Sequence, residues 1–134
     1  MNAANCCPSM AHVNVKGPVL AGVAACAEMG LPFVPGVATP SEIERARALG
    51  LRLLKPFPAS QIGGPGFLRA VSATYPDVEF FPTGGISEAN LADYLAVPSV
   101  AACAGSWLVR GELIREGRFG EIERLARTAV GIAA

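Results

Sequence analysis

Apolar and polar positions along the chain follow two alternating rhythms. Short β-branched or aromatic runs fall at residues 33–37, 52–55, 78–81 and 99–103, each followed by a Gly, Pro or Ser turn. After each turn the spacing changes to that of a helix. Phe67, Leu68 and Val71 share one helical face, as do Leu91, Tyr94 and Leu95. Ile122, Leu125, Ala126 and Ala129 recur at i, i+3, i+4 and i+7, which predicts an amphipathic C-terminal helix. Strands alternating with helices at roughly 20–27-residue intervals predict repeated βα units on a parallel sheet.

The helix boundaries are also written in the sequence. Thr39-Pro40-Ser41-Glu42 has the form of a capping box with Pro at the first helical position, and Gly50 stands where such a helix should stop. Ser87, after Gly84-Gly85-Ile86, reads as a second N-cap. Nine of the 22 charged residues lie between Arg110 and Arg127, which predicts a solvated helical face with Glu123 and Arg127 spaced for an i,i+4 pair. Near the N-terminus, residues 11–15 read as a strand and 18–29 as a helix. Residues 1–16 form a poorly patterned N-terminal segment, and 17–134 carry the βα pattern.

Composition narrows the classes. The 134 residues hold 11 basic and 11 acidic side chains, and 51% are hydrophobic. A net charge of zero gives no electrostatic footprint for nucleic acid. No apolar run reaches the roughly 20 residues of a membrane span, and the first 20 residues lack a secretory pattern. Cys6, Cys7, Cys26 and Cys103 contain no C-x-x-C spacing, and His12 is the one histidine. A metal site is therefore not expected, and reduced thiols fit a cytoplasmic protein.

In parallel βα architectures ligands bind at the C-terminal ends of the strands. Three features fall there. Lys55 ends a run flanked by Leu53, Leu54, Phe57 and two prolines, where desolvation lowers an amine's pKa. A neutral amine attacks a carbonyl to form a Schiff base; the competing reading is a lysine that snorkels to water. Thr83-Gly84-Gly85 and Gly105-Ser106 form turns after consecutive strands, where glycines let backbone N–H groups approach an anion and helix starts add a positive dipole end. Loops after the last two strands of a barrel commonly hold phosphate.

Leu31-Pro32-Phe33-Val34-Pro35-Gly36-Val37-Ala38-Thr39, Lys55-Pro56-Phe57-Pro58-Ala59, Gly63-Gly64, Pro82-Thr83-Gly84-Gly85-Ile86-Ser87 and Gly105-Ser106-Trp107-Leu108 together resemble the KDPG (2-dehydro-3-deoxy-6-phosphogluconate) and KHG aldolase family. Their order and spacing match from about Gly17 to the C-terminus. The resemblance implies a homotrimeric (β/α)8 barrel, of which this chain holds about four to five βα units. It implies a class I aldolase without metal or cofactor, cleaving 2-dehydro-3-deoxy-6-phosphogluconate to pyruvate and glyceraldehyde 3-phosphate. Lys55 matches the Schiff-base lysine. Thr83, Gly84, Gly85, Gly105 and Ser106 match the phosphate-binding turns, and Pro35, Thr39 and Phe57 the substrate pocket.

The same resemblance places the general-base glutamate and the carboxylate-binding arginine in earlier βα units, before the part that matches here. A whole barrel takes about 200 residues or more, so the chain is expected to be the C-terminal portion of one. Glu42 is the capping-box residue and Glu88 is expected in the first turn of a helix, both structural positions. Pro56 stands where the family has a bulky apolar residue. Val34, Leu53 and Phe80 are expected to face inward and to lack partners on one side. The alternative is a phosphosugar-binding half-barrel or assembly module without catalysis. Either way the partner is a small phosphorylated keto acid, with no nucleic acid and no membrane, in a homo-oligomer.

Overall fold

The computed structural model describes residues 19–133. The expected strand at 11–15 and the unpatterned segment 1–16, with Cys6, Cys7, His12 and Lys16, lie outside the described residues. The chain divides into two compact units, the first ending at Pro35 and the second beginning at Gly36. In the first unit, helix α1 (Val19–Glu28) carries Cys26 on its buried side. It closes when Leu31 N–H bonds Cys26 O at 2.8 Å and Gly30 N–H bonds Ala27 O at 3.1 Å.

The second unit is built on a parallel sheet in the order β1 (Gly36–Val37), β2 (Leu53–Pro56), β3 (Glu79–Phe80). Gly36 pairs with Lys55, Leu53 with Glu79 and Leu54 with Phe80. Residues 100–104 lie alongside β3 through two bridges, Phe80 to Val100 and Thr83 to Ala104. The offset grows by one residue between those bridges. An extra residue of this kind interrupts the ladder, which is why the expected strand at 99–103 is present as two bridges.

Helices α2 (Pro40–Ala48), α3 (Gly64–Thr74), α4 (Leu91–Leu95), α5 (Gly111–Arg115) and α6 (Phe119–Ala133) follow the strands. The capping box holds as expected: Thr39 Oγ1 accepts from Glu42 N–H at 3.3 Å, and Glu42 Oε2 accepts from Thr39 N–H at 2.9 Å. Gly50 adopts φ +79, which lets Leu51 N–H reach Ala46 O at 3.1 Å and Gly50 N–H reach Arg47 O at 2.9 Å.

Two helix expectations need correction. Ser87 is not the cap of α4; that position is Asn90, and residues 88–90 form an intervening turn. The charged stretch 110–127 is not one helix but two, because Gly117 closes α5 before α6 begins. Glu123 and Arg127 do pair, at 2.7 Å. Both are exposed, so the pair adds only a few tenths of a kcal/mol, about 0.3–0.5. On α6, Leu125 is buried while Ala129 and Ile132 pack on the core; Ala126 is exposed, one step off the expected face.

One face of the sheet is covered by helices. Val37, Leu54 and Phe80 join Ile43 and Ala46 of α2, Leu68 and Val71 of α3, and Leu91 and Tyr94 of α4 in one cluster. Phe80 is 0% exposed, so it belongs to this covered face rather than to the inward set. Alternation along each strand puts Leu53, Lys55, Glu79 and Phe81 on the opposite face. There Leu53, Lys55 and Phe81 are half-buried and Glu79 is exposed. The residues expected to carry chemistry, Lys55 among them, lie toward the far end of that second face.

Candidate active site

The carboxyl ends of the strands bring four segments side by side. Lys55 occupies the third position of β2 and stands in register with Gly36 of β1. A neighbour without a side chain leaves room above the lysine. Its Nζ lies 5.3 Å from the centroid of the Phe57 ring, within reach of a cation–π contact. Phe57 itself is half in solvent, at 53% exposure. Pro56 keeps the strand register; its carbonyl accepts from Thr83 N–H at 3.0 Å, although the proline has no N–H to return.

That hydrogen bond is the first of three joining the lysine-bearing loop to the glycine turn. Ala59 N–H donates to Thr83 O at 2.8 Å, and Ser60 N–H donates to Gly84 O at 3.0 Å. Gly84 and Gly85 have φ of +93 and +77, a conformation that L side chains rarely adopt. Space is short as well. A Cβ on Gly84 would stand 3.1 Å from Pro58 Cα, and one on Gly85 would overlap the Ser60 side chain. Asn90 holds the turn from below, accepting from Ser87 N–H at 2.8 Å and donating to Gly85 O at 3.0 Å.

Gly105 and Ser106 follow directly on Ala104, the bridge partner of Thr83, so the two turns are neighbours. A Cβ on Gly105 would overlap the Trp107 ring and stand 3.0 Å from Ile86 O. The N–H groups of Gly84, Gly85, Gly105 and Ser106 donate to no described residue. The expected helix dipoles are not at these turns, since α4 begins at Leu91 and α5 at Gly111, and each has five residues. What the turns offer an anion is unoccupied backbone N–H. Thr83 is 9% exposed, and its Oγ1 is buried without a hydrogen-bond partner among the described residues. A hydroxyl left unpaired in a buried position costs about 1–3 kcal/mol, a cost that a bound polar group would relieve.

The remaining expected residues divide. Thr39 stands at the end of β1, but its hydroxyl donates to Glu42 Oε2 at 3.0 Å and serves the helix cap. Glu42 is fully engaged: the same oxygen accepts from Ala38 N–H at 2.7 Å, and that bond above all holds its carboxyl below the ordinary range. Pro35 is buried and is the last residue of the first unit, whereas Thr39, Lys55, Phe57 and both turns belong to the second. Cys103 is half-buried, and burial pushes its thiol up to about 11, so it stays protonated. No three His, Cys, Asp or Glu side chains converge as metal ligands among the described residues. Ser60 and Asn90 escaped the reading of the sequence; the Asn90 position, three after Ser87, carries the spacing of a local side-chain to backbone bond.

A family model described as KDPG and KHG aldolase matches residues 17–125. The chain belongs to this family. A 2-dehydro-3-deoxy-phosphogluconate aldolase of Pseudomonas aeruginosa is 47% identical over 100 residues, covering 75% of this chain and 46% of the relative. The Treponema pallidum protein of the same name is 43% identical over 110 residues, 82% of this chain and 52% of its own length. The chain therefore spans about half the length of these family members. Among solved structures, a KDPG aldolase of Legionella pneumophila, with pyruvate captured as a covalent carbinolamine, superposes with a TM-score of 0.75 at 35% identity. That match covers 84% of this chain and 53% of the Legionella chain. The parallel α/β architecture is that of part of the family's barrel.

Proposed function

We propose that this chain carries the Schiff-base and phosphate-binding portion of a class I aldolase acting on 2-dehydro-3-deoxy-6-phosphogluconate. The observation that supports this most is the placement of Lys55, at the end of the central strand and one strand from a glycine turn whose N–H groups donate to no described residue. Lys55 Nζ attacks the keto carbon of the substrate, giving a carbinolamine that loses water to an imine. A base removes the proton of the hydroxyl two carbons along. The carbon–carbon bond between them then breaks, releasing glyceraldehyde 3-phosphate and leaving an enamine on Lys55. Protonation of the enamine and hydrolysis of the imine release pyruvate.

Thr83, Gly84, Gly85, Gly105 and Ser106 receive the phosphate in this scheme, with Phe57 and Thr39 around the remaining substrate. No cofactor takes part. Glu42 is bound into its helix cap and Glu88 is exposed in the turn before α4, so neither takes the role of base. The protein acts in the cytoplasm as a homo-oligomer, and no described helix is long and apolar enough to cross a membrane. Leu53, half-buried on the face opposite the helices, suits burial against further barrel units.

Trapping with pyruvate and borohydride tests the reading without requiring the base. Reduction of the imine should add one pyruvate-derived group per chain, and Lys55→Arg should add none. A folded chain that takes no label contradicts the Schiff-base role and leaves the non-catalytic phosphosugar-binding alternative.

A further inference from the structure

Three consecutive peptides of the first glycine turn are each fixed by the carbonyl. Thr83 O accepts from Ala59 N–H at 2.8 Å, and Gly84 O accepts from Ser60 N–H at 3.0 Å. Gly85 O meets no backbone donor among the described residues; it accepts from Asn90 Nδ2 at 3.0 Å. All three peptides are trans, so each N–H points away from the carbonyl of its own unit. Holding these carbonyls therefore sets the directions of three N–H groups, those of Gly84, Gly85 and Ile86. Main chain holds the first two, and a side chain holds the third.

Ile86 differs from the glycines before it. Gly84 is half-buried and Gly85 exposed, whereas Ile86 is 5% exposed and its side chain belongs to the core cluster. Its N–H still donates to no described residue, although buried main-chain donors are almost always paired. The next N–H, that of Ser87, is already taken by Asn90 Oδ1 at 2.8 Å. One amide thus closes the N–H of Ser87 and, through Gly85 O, aims the N–H of Ile86. An N–H needs oxygen and a carbonyl needs the NH2 end, so these two bonds also fix which way the amide faces. Asn90 occupies the N-cap position of α4, where asparagine is favoured for bonding the helix's first N–H groups. Its side chain makes no such bond. The amide serves the turn instead.

We infer that Asn90 is a positioning residue of the anion-binding turn, holding the Gly85 carbonyl so that the buried Ile86 N–H serves as a third donor beside those of Gly84 and Gly85. The inference rests on the aldolase reading for the anion, the phosphate of glyceraldehyde 3-phosphate or of its keto-acid precursor. Asn90 acts through the peptide and does not touch the substrate.

Amide 1H–15N spectra of the chain, titrated with inorganic phosphate, test the third donor. The protons of Gly84, Gly85 and Ile86 should move downfield together. A stationary Ile86 beside moving glycines overturns the inference and leaves the phosphate reading intact; three stationary protons overturn that reading too. Asn90→Ser then separates positioning from capping. Serine caps a helix about as well and carries no charge, but one hydroxyl cannot hold both Ser87 N–H and Gly85 O. The variant should keep its thermal midpoint within a degree or so and its pyruvate label on Lys55. Glyceraldehyde 3-phosphate should bind about tenfold more weakly by calorimetry, the size of one charge-assisted hydrogen bond. Its Ile86 proton should respond to phosphate less than the two glycines do. Unchanged affinity in Asn90→Ser, or a loss matched by equal losses of midpoint and label, overturns the positioning role.

Discussion

The two faces of the sheet are built on opposite principles. On the helix-covered face, Leu54, Phe80 and Ile43 are each 0% exposed and join one hydrophobic cluster. At the strand ends of the other face stand a half-buried lysine, a buried threonine hydroxyl with no partner among the described residues, and four backbone N–H groups that donate to none of them. Among the described residues the first arrangement leaves no buried side-chain polar atom unpaired. The second leaves donors and an amine for something else to satisfy. In the proposed function stability is concentrated in one face and chemistry at the end of the other, so substitutions should separate them.

Lys55→Arg should cost all of the pyruvate label, the largest effect expected, while leaving the thermal midpoint within a degree or so. Arginine keeps the positive charge beside Phe57 but cannot form the imine. A shifted midpoint with a retained label would reverse the assignment of the two regions. Phe80→Ala should do the opposite, destabilising by about 3–5 kcal/mol. Denaturant melts check the size, and the label per folded molecule should stay constant.

Gly85→Val lies between these cases. It forces a β-branched residue into φ +77 and onto Ser60, a strain of about 1–3 kcal/mol. Glyceraldehyde 3-phosphate binding should fall much more than pyruvate labelling; equal losses would indicate general unfolding. Thr39→Ala is the mildest, removing a cap worth about 1 kcal/mol. The same box sets a pH dependence. Glu42 has a folded pKa below its ordinary 4.5, so its contribution is complete above that value and is lost as pH falls through the lowered one. Melts between pH 7 and pH 3 should show this loss in the parent and a smaller one in Glu42→Gln.

How far the sequence revealed these regions depends on what kind of signal each leaves. Capping boxes and stop glycines are local, and Thr39, Glu42 and Gly50 behave as their spacing predicts. The hydrophobic pattern does not settle the face of Phe80, because 78–82 is almost continuously apolar. Glu79 was the available clue: an exposed carboxylate puts its alternate neighbours, Val78 and Phe80, on the covered side. The extra residue in 100–104 left no trace, since a run of Ala, Cys and Val has no register of its own. The glycines mark both turns in the sequence, but not the N–H groups that the turns leave open. Free N–H groups and the Ser60 contact come from tertiary packing, and the helices expected to supply a dipole start later in the chain.

The claim that Lys55 is reactive because the fold puts it at this strand end can be tested by labelling the same sample folded and in urea. Pyruvate and borohydride are added to each, and tandem mass spectrometry locates the label on Lys55 or Lys16. In the folded chain the label should sit on Lys55 and be largely complete, and in urea both lysines should react slowly and alike. Equal labelling of the two lysines in the folded protein, or a Lys55 rate unchanged by urea, would contradict the account.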